Sequence, residues 1–141
     1  MAISQGLCLS YKQEILSGLH HNDHEYKIAL FKSAATLNKY ITTYTGLTEE
    51  VEGTGYTTGG KVLSGFTTSL IGDFAILDFT VDPSWEASSF TARGAVLYNN
   101  SLVGKNTVAV FDFGTDYTCV EGTFTVEFPQ PLDSTALIRI V

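Results

Sequence analysis

The sequence is poor in basic residues, with eight Lys and Arg against fifteen Asp and Glu in 141 residues. The resulting formal charge of −7 has the wrong sign for a surface that binds the phosphates of nucleic acid. An acidic surface also repels anionic membranes and favours solubility. We therefore expect neither a nucleic-acid partner nor a membrane partner.

Cysteine and long apolar runs are also scarce. Cys8 and Cys119 are the only cysteines, and they lie far apart in the chain. No run of roughly 18 apolar residues could span a bilayer, and the opening segment lacks the basic and apolar regions of a signal peptide. We therefore expect folding in a reducing cytoplasm, with both thiols free and mostly packed.

One helical pattern opens the chain. Ser4 can cap a helix and Gly18 is placed to end it, which predicts a short amphipathic helix over about 4–19. The apolar positions recur at steps of three and four: Leu7, Cys8, Tyr11, Ile15, Leu16 and Leu19. We expect this apolar side to pack on the rest of the protein or on a neighbouring copy.

Beyond the helix, apolar residues alternate with a period of two, as in β-strands. The segments with this pattern are 26–31, 62–71, 74–81, 90–98, 107–113, 123–128 and 136–140, with a weaker one at 40–45. Gly, Asn, Asp and Pro separate them, including turn signals at 121–122 and 129–134, and 42–60 reads as a long exposed or partly disordered loop. The pattern predicts a single mainly β domain over 1–141, an antiparallel β-sandwich that is jelly-roll-like.

A glycine-rich segment comes close to a phosphate-binding loop. Residues 55–61 end in Gly59, Gly60 and Lys61, but the next residue is Val62 where a hydroxyl should hold magnesium. A strand pattern follows where a phosphate loop leads into a helix. We therefore expect a glycine-rich hairpin loop, and we interpret 112–114, a near match to a kinase magnesium triplet, as a strand end and turn.

The only cluster of residue types that bind metals is His20, His21, Asp23 and His24. No further Cys or His lies close in sequence to complete a structural zinc site. We expect a loop between helix and strand, with adventitious metal as the alternative. Neither cysteine has a histidine nearby to act as a base, and the spaced carboxylates have the pattern of ordinary turns. The residues predict no enzymatic activity, no cofactor and no metal.

Several strings give the chain a resemblance to a known family. They are MAISQGLC at 1–8, YKQEILSG at 11–18, YKIALF at 26–31, GTGYTTGG at 53–60, FTARGA at 90–95 with Tyr98 and Asn99, and VFDFG at 110–114. In this order and over almost the whole length, the chain resembles a family of small virion proteins of tailed bacteriophages. It departs from the family at 20–22 and 48–52.

The resemblance implies a structural role in a phage particle, made in the host cytoplasm and located at the capsid surface. We expect a capsid cement or decoration protein that bridges subunits of the major capsid protein, as a homotrimer on the particle. A tail, neck or receptor-contacting module is the alternative, and a small hydrolase or carbohydrate-binding protein is a rival from another class. The rival predicts an exposed aromatic platform around Trp85, Tyr56 or Tyr44, whereas we expect Trp85 to be in the core.

Aromatic residues occur on both faces of several predicted strands, more than one buried face needs. Some of them should therefore lie between subunits, together with the apolar side of the helix. The predicted inter-subunit residues are Leu7, Tyr11, Ile15, Leu19, Phe31, Phe66, Phe90 and Tyr98.

Overall fold

A computed structural model describes residues 2–129 and 137–140. The elements are β1 (Gly6–Leu7), α1 (Leu9–Leu16), β2 (Tyr26–Phe31), β3 (Lys61–Val62), β4 (Phe66–Ile71), β5 (Phe74–Phe79), β6 (Ser84–Asn99), β7 (Thr107–Thr125) and β8 (Ile138–Ile140). The prediction of a mainly β chain with antiparallel sheets is confirmed, because every pair of neighbouring strands is antiparallel.

The larger sheet has the strand order β1-β7-β6-β2-β3. Its middle strand is β6, and β2 pairs along its whole length with the second half of β6, from Tyr26 opposite Asn99 to Phe31 opposite Gly94. Both faces of β2 are covered, so five of its six residues are buried. The two longest strands, β6 and β7, form a two-stranded ribbon that extends beyond β2.

The smaller sheet has the order β4-β5-β8. It contacts the larger sheet through aromatic rings, with Tyr26 stacked on Phe66 at 5.6 Å and tilted against Phe79 at 5.7 Å between ring centroids. Phe79 also meets Phe128, which follows β7. The buried apolar residues of both sheets belong to one continuous cluster.

The N-terminal helix is shorter than predicted. It covers Leu9–Leu16, because the preceding residues Gly6–Leu7 pair with β7 as strand β1. The expectation that Ser4 is the cap is therefore wrong: the N-cap is Cys8, without a side-chain cap. The expected end is confirmed, since Gly18 adopts φ +76° just after the last turn.

The prediction of a strand at 26–31 is confirmed, but the segment 62–71 is divided. Gly65 breaks it with φ +79°, and a Cβ on Gly65 would lie 1.9 Å from the hydroxyl oxygen of Thr80. No strand covers 40–45, where Thr43 makes one bridge to Asn106. The segment 42–60 lies in the loop between β2 and β3 and most of its residues are exposed, as expected, although Val51 is fully buried in it.

The predicted segments 107–113 and 123–128 lie largely on one strand, because β7 runs through the expected turn at 121–122. Irregular positions with positive φ at Ala87, Gly114 and Glu121 bend the ribbon without ending it. The strand end and turn expected at 112–114 are therefore wrong. Residue 136 and most of the turn signal at 129–134 lie outside the described residues. Among the described residues, no helix is long and apolar enough to cross a membrane.

Candidate interaction surface

The structure corrects half of the predicted inter-subunit residues. Tyr11, Phe31, Phe90 and Tyr98 are buried inside the chain itself, which leaves these side chains no surface for a second copy. The two-sided apolar pattern arises because β2 and β6 are central strands covered on both faces. Leu7, Ile15 and Phe66 are half-buried, and only Leu19 is exposed.

The glycine-rich loop is held by a carboxylate of the chain itself. Glu50 accepts hydrogen bonds from the hydroxyl of Tyr44 at 2.5 Å, the hydroxyl of Tyr56 at 2.6 Å and the backbone N–H of Gly59 at 2.8 Å. The Tyr98 hydroxyl donates to the carbonyl of Gly59 at 2.6 Å. A loop amide that could face a phosphate is thus already paired with a negative charge. We call this cluster of Tyr44, Glu50, Tyr56, Gly59 and Tyr98 the Glu50 cluster.

Lys61 is also engaged within the chain. Its ammonium donates to the carbonyl of Ser84 and lies 5.5 Å from the ring centroid of Trp85. The prediction of a glycine-rich loop rather than a nucleotide site therefore fits the contacts. Gly60, which adopts φ +83°, is required because a Cβ there would lie 1.9 Å from the carbonyl oxygen of Ile28.

Burial raises the pKa of the tyrosines in the Glu50 cluster. For Tyr44 and Tyr56, loss of solvent is the main cause, and the hydrogen bond to Glu50 adds to it because that bond needs the protonated phenol. Burial likewise raises the pKa of Tyr98, with the charge of Glu50 as a further cause. These phenols are therefore neutral donors that fix the loop, and no proton transfer at neutral pH is expected from them.

The aromatic platform that a sugar-binding site would need is not formed by the three expected residues. Trp85 is only 2% exposed, which confirms its predicted place in the core. Its ring lies 6.1 Å from that of Tyr56 and 6.2 Å from that of Phe124. Tyr44 is stacked on Tyr98 at 4.3 Å between ring centroids. All three rings are used for internal packing.

The histidines lie, as predicted, between helix and strand, and two of them share one donor. The side-chain amide of Asn99, which is fully buried, donates to Nδ1 of His20 at 3.1 Å and to Nδ1 of His24 at 2.8 Å. Nε2 of His20 is 2.8 Å from the carboxylate of Glu14. The histidines thus join the helix to the end of β6.

His21, Asp23 and His24 place one possible ligand atom each within 4.8 Å of one another. However, Nδ1 of His24 also receives the backbone N–H of His21 at 3.3 Å, so that only donors face it. The proton of a neutral His24 ring is therefore on Nε2, and the ring has no free lone pair for a metal. The donor set does not fit a built metal site.

The two cysteines are free and lie in different surroundings. Cys8 is completely buried; burial raises the pKa of its thiol, opposed in part by a hydrogen bond with Thr107. Cys119 is half-buried, with its Sγ 3.7 Å from the carbonyl of Phe90. Among the described residues, the hydrogen bonds given for the two thiols are with the Phe90 carbonyl and the Thr107 side chain, and neither is with a histidine or a carboxylate. The packed position expected for Cys8 is confirmed, whereas Cys119 borders a groove.

This groove lies on the ribbon and measures about 430 Å³. Side chains of β7 and the residues after it line it, among them Phe113, Tyr117, Cys119, Phe124 and Val126, with Glu127 at the end. The rings of Phe113 and Phe124 are 6.2 Å apart, because the bent ribbon brings the two ends of this strand segment together. Tyr117 in the groove is 52% exposed, and Val120, one residue beyond Cys119 on the same strand, is 75% exposed.

A second exposed feature is the outer edge of β4. This strand lies at the end of the smaller sheet and pairs regularly with β5 over six residues, from Phe66 to Ile71. Its four central residues are all exposed, Leu70 to 79%. The strand carries no charge and no proline, the residue types that commonly block pairing at a sheet edge.

Sequence reasoning missed the groove, although one signal was present. No Lys or Arg occurs from Asn106 to Ile138, a stretch that combines aromatic residues with carboxylates. The Glu50 cluster had no comparable signal, since its members are spread over the chain and meet only in the fold. Comparison with known proteins adds no identification: no protein-family model, curated protein or solved structure matches the chain.

Proposed function

We propose that the protein is a structural component of a tailed-phage virion, a capsid cement or decoration protein that stabilises the shell by bridging major capsid subunits. The observation that carries the proposal is that exposed apolar side chains lie on two unblocked strand edges, one on β4 and one on the ribbon. Exposed edges and apolar patches are typical of surfaces that other chains cover. The sequence resemblance supports a major capsid protein as the partner.

The polar clusters support an interaction protein rather than an enzyme. Glu50, Lys61 and Asn99 each bind groups of the chain itself, so that they serve to hold loops on the sheets. No enzymatic activity and no cofactor are part of the proposal. The finer architecture proposed is a jelly-roll-like sandwich, in which the aromatic layer between the two antiparallel sheets is the common core.

The oligomeric state proposed on the particle is a homotrimer, located at the capsid surface after synthesis in the host cytoplasm. The neutral edge of β4 supports contact between copies, because chains with a net charge of −7 can approach there without bringing carboxylates together. Leu19 and the half-buried residues Leu7, Ile15 and Phe66 are the remaining candidates for packing between subunits.

The proposal is tested with particles that lack the protein. Such particles should lose their capsid integrity at a lower temperature than complete particles, and addition of the purified protein should restore it. Leu70→Lys places a charge on the edge of β4 and should weaken the restoration, whereas Thr36→Lys, at an exposed loop position, is the matched control. Capsids of unchanged heat stability with the protein found at the tail or neck would favour the alternative assignment.

A further inference from the structure

Within residues 2–129 and 137–140, the outer edge of the ribbon has no strand partner over residues 113–125 of β7, a segment that we call the ribbon edge. β1 pairs with β7 only at Ala109 and Val110, and the N–H of Asp112 is bound by the side chain of Gln5. Among the described residues, the ribbon edge has ladder partners only in β6. At residues 117–119, where β7 pairs regularly with β6, alternate backbone N–H and C=O groups therefore face away from the sheet. The N–H of Gly114 instead donates to the carboxylate of Asp112, and that of Glu121 donates to the hydroxyl of Ser89.

We propose that the ribbon edge binds an extended segment of a partner protein in which Lys or Arg alternates with apolar residues. The segment adds a strand beside residues 117–119, where β7 pairs regularly with β6, and its apolar side chains enter the adjoining groove. The proposal deepens the proposed function and rests on it only for the source of the segment, a capsid subunit.

The apolar part of this specificity comes from the groove. Phe113, Tyr117 and Phe124 offer ring surface there, and Phe113 lies 6.3 Å from Tyr117 and 6.2 Å from Phe124 between ring centroids. A volume of about 430 Å³ is enough for one or two aliphatic side chains, since small-ligand sites begin at roughly 300 Å³. Alternate side chains of an added strand point to the same face and can reach it.

The charge of the partner follows from the charges of the ribbon edge. Asp116 and Glu121 of the ribbon edge are exposed, as is Glu127 at the end of the groove. These three make no ion pair among the described residues, whereas Asp112 is 3.3 Å from Arg93. No cation of β7 offsets them. A basic segment gains attraction from these carboxylates and can place its cations over exposed rings such as Tyr117. An acidic segment, and a second copy of this acidic chain, would be repelled.

The edge lacks two of the residue types that commonly prevent strand addition. Residues 113–125 contain neither lysine nor proline. The irregular positions at Gly114 and Glu121 limit an added strand to the regular stretch between them. The contact is therefore short, and the groove and the carboxylates must supply most of its specificity.

The position of Cys119 in the groove allows a direct test on the full chain. The probe is a hexapeptide of alternating lysine and valine, and the control is the peptide with glutamate in place of lysine. The basic peptide should slow modification of Cys119 by a thiol reagent in a saturable way, more strongly at low salt, and the acidic peptide should not. Cys8 is fully buried and does not contribute to the native signal.

Variants separate the charge contribution from the fold. Glu121→Lys and Glu127→Lys should each lower the affinity for the basic peptide about tenfold. The control Glu52→Lys changes an exposed residue outside the ribbon and should leave this affinity unchanged. Circular dichroism checks that each variant is folded, and fluorescence anisotropy of a labelled peptide measures the same affinity without the thiol.

Equal binding of the acidic and basic peptides, or no binding by either method, would overturn the proposal. Protection of Cys119 that rises with protein concentration in the absence of peptide would assign the groove to a second copy instead. Either failure concerns the ribbon edge alone, because the heat stability of particles tests the virion role by a separate measurement.

Discussion

Removal of the Glu50 carboxylate should destabilise the fold, because three donors share this single acceptor. The hydroxyls of Tyr44 and Tyr56 and the N–H of Gly59 all lose their partner in Glu50→Ala. A hydrogen bond to a charged group contributes about 1.5–3 kcal/mol, but bonds to one acceptor do not add fully. Glu50 is also half-buried, so that water replaces part of the loss.

We therefore expect Glu50→Ala to lower the free energy of unfolding by about 2–4 kcal/mol. For a chain of this size, this corresponds to a fall in Tm of about 3 °C for each kcal/mol. Glu50→Gln keeps an acceptor oxygen but turns an N–H group toward other donors. It should lower the free energy of unfolding by about half as much as Glu50→Ala. The measurements are urea unfolding and thermal melting followed by circular dichroism.

The neighbouring variant Glu52→Ala is the control, because Glu52 is exposed, and it should change the free energy of unfolding by no more than about 0.5 kcal/mol. A loss below about 1 kcal/mol in Glu50→Ala would contradict this prediction. The cluster would then not be what holds the glycine-rich loop on the sheet.

Three further predictions concern the buried groups. Burial raises the folded-state pKa of four tyrosines, Tyr26, Tyr44, Tyr56 and Tyr98. Their contribution to the free energy of unfolding should therefore be fully present below the unfolded pKa of about 10 and should fall above it by about 1.4 kcal/mol per pH unit for each tyrosine. Urea unfolding at a series of alkaline pH values measures this fall, and a constant free energy of unfolding there would contradict it. A thiol reagent should modify Cys119 in the native protein and Cys8 only after unfolding. Mass spectrometry of the digested product identifies the modified cysteine. Rapid labelling of Cys8 in the native protein would contradict its burial. Asn99→Leu removes the donor shared by His20 and His24 and should lower the free energy of unfolding by about 2–3 kcal/mol. The control Asn22→Ala changes an exposed residue and should lower it by at most about 0.5 kcal/mol. Equal effects of the two variants would contradict the role given to Asn99.

Local patterns predicted the strands whose pairing is regular. The segment 26–31 was found with its observed bounds because six consecutive residues pair with β6 and nearly all are buried. The break at Gly65 was missed, since only the close approach of Thr80 in the fold requires glycine there. The turn expected at 121–122 was wrong for a related reason: glycine after a polar residue is typical of a turn, but here it accompanies a bend within β7.

The chemistry near the glycine-rich loop shows why sites are harder to predict than strands. The sequence showed that Lys61 and the loop glycines did not match a phosphate site. It could not show that Glu50 accepts a hydrogen bond from the N–H of Gly59 or that the rings of Tyr44 and Tyr98 stack, because these contacts depend on pairing between distant strands. Likewise, burial of Phe31, Phe90 and Tyr98 follows from the coverage of β2 and β6 on both faces, which alternation alone does not reveal.

The most direct test of the central proposal is a cryo-EM map of the virion, with the copy number of the protein measured against that of the major capsid protein. We expect density on the capsid surface that fits the two sheets and the ribbon, in contact with several capsid subunits and at a copy number that rises with theirs. Density confined to the tail or neck at a few copies per particle, or no density in the virion at all, would contradict it.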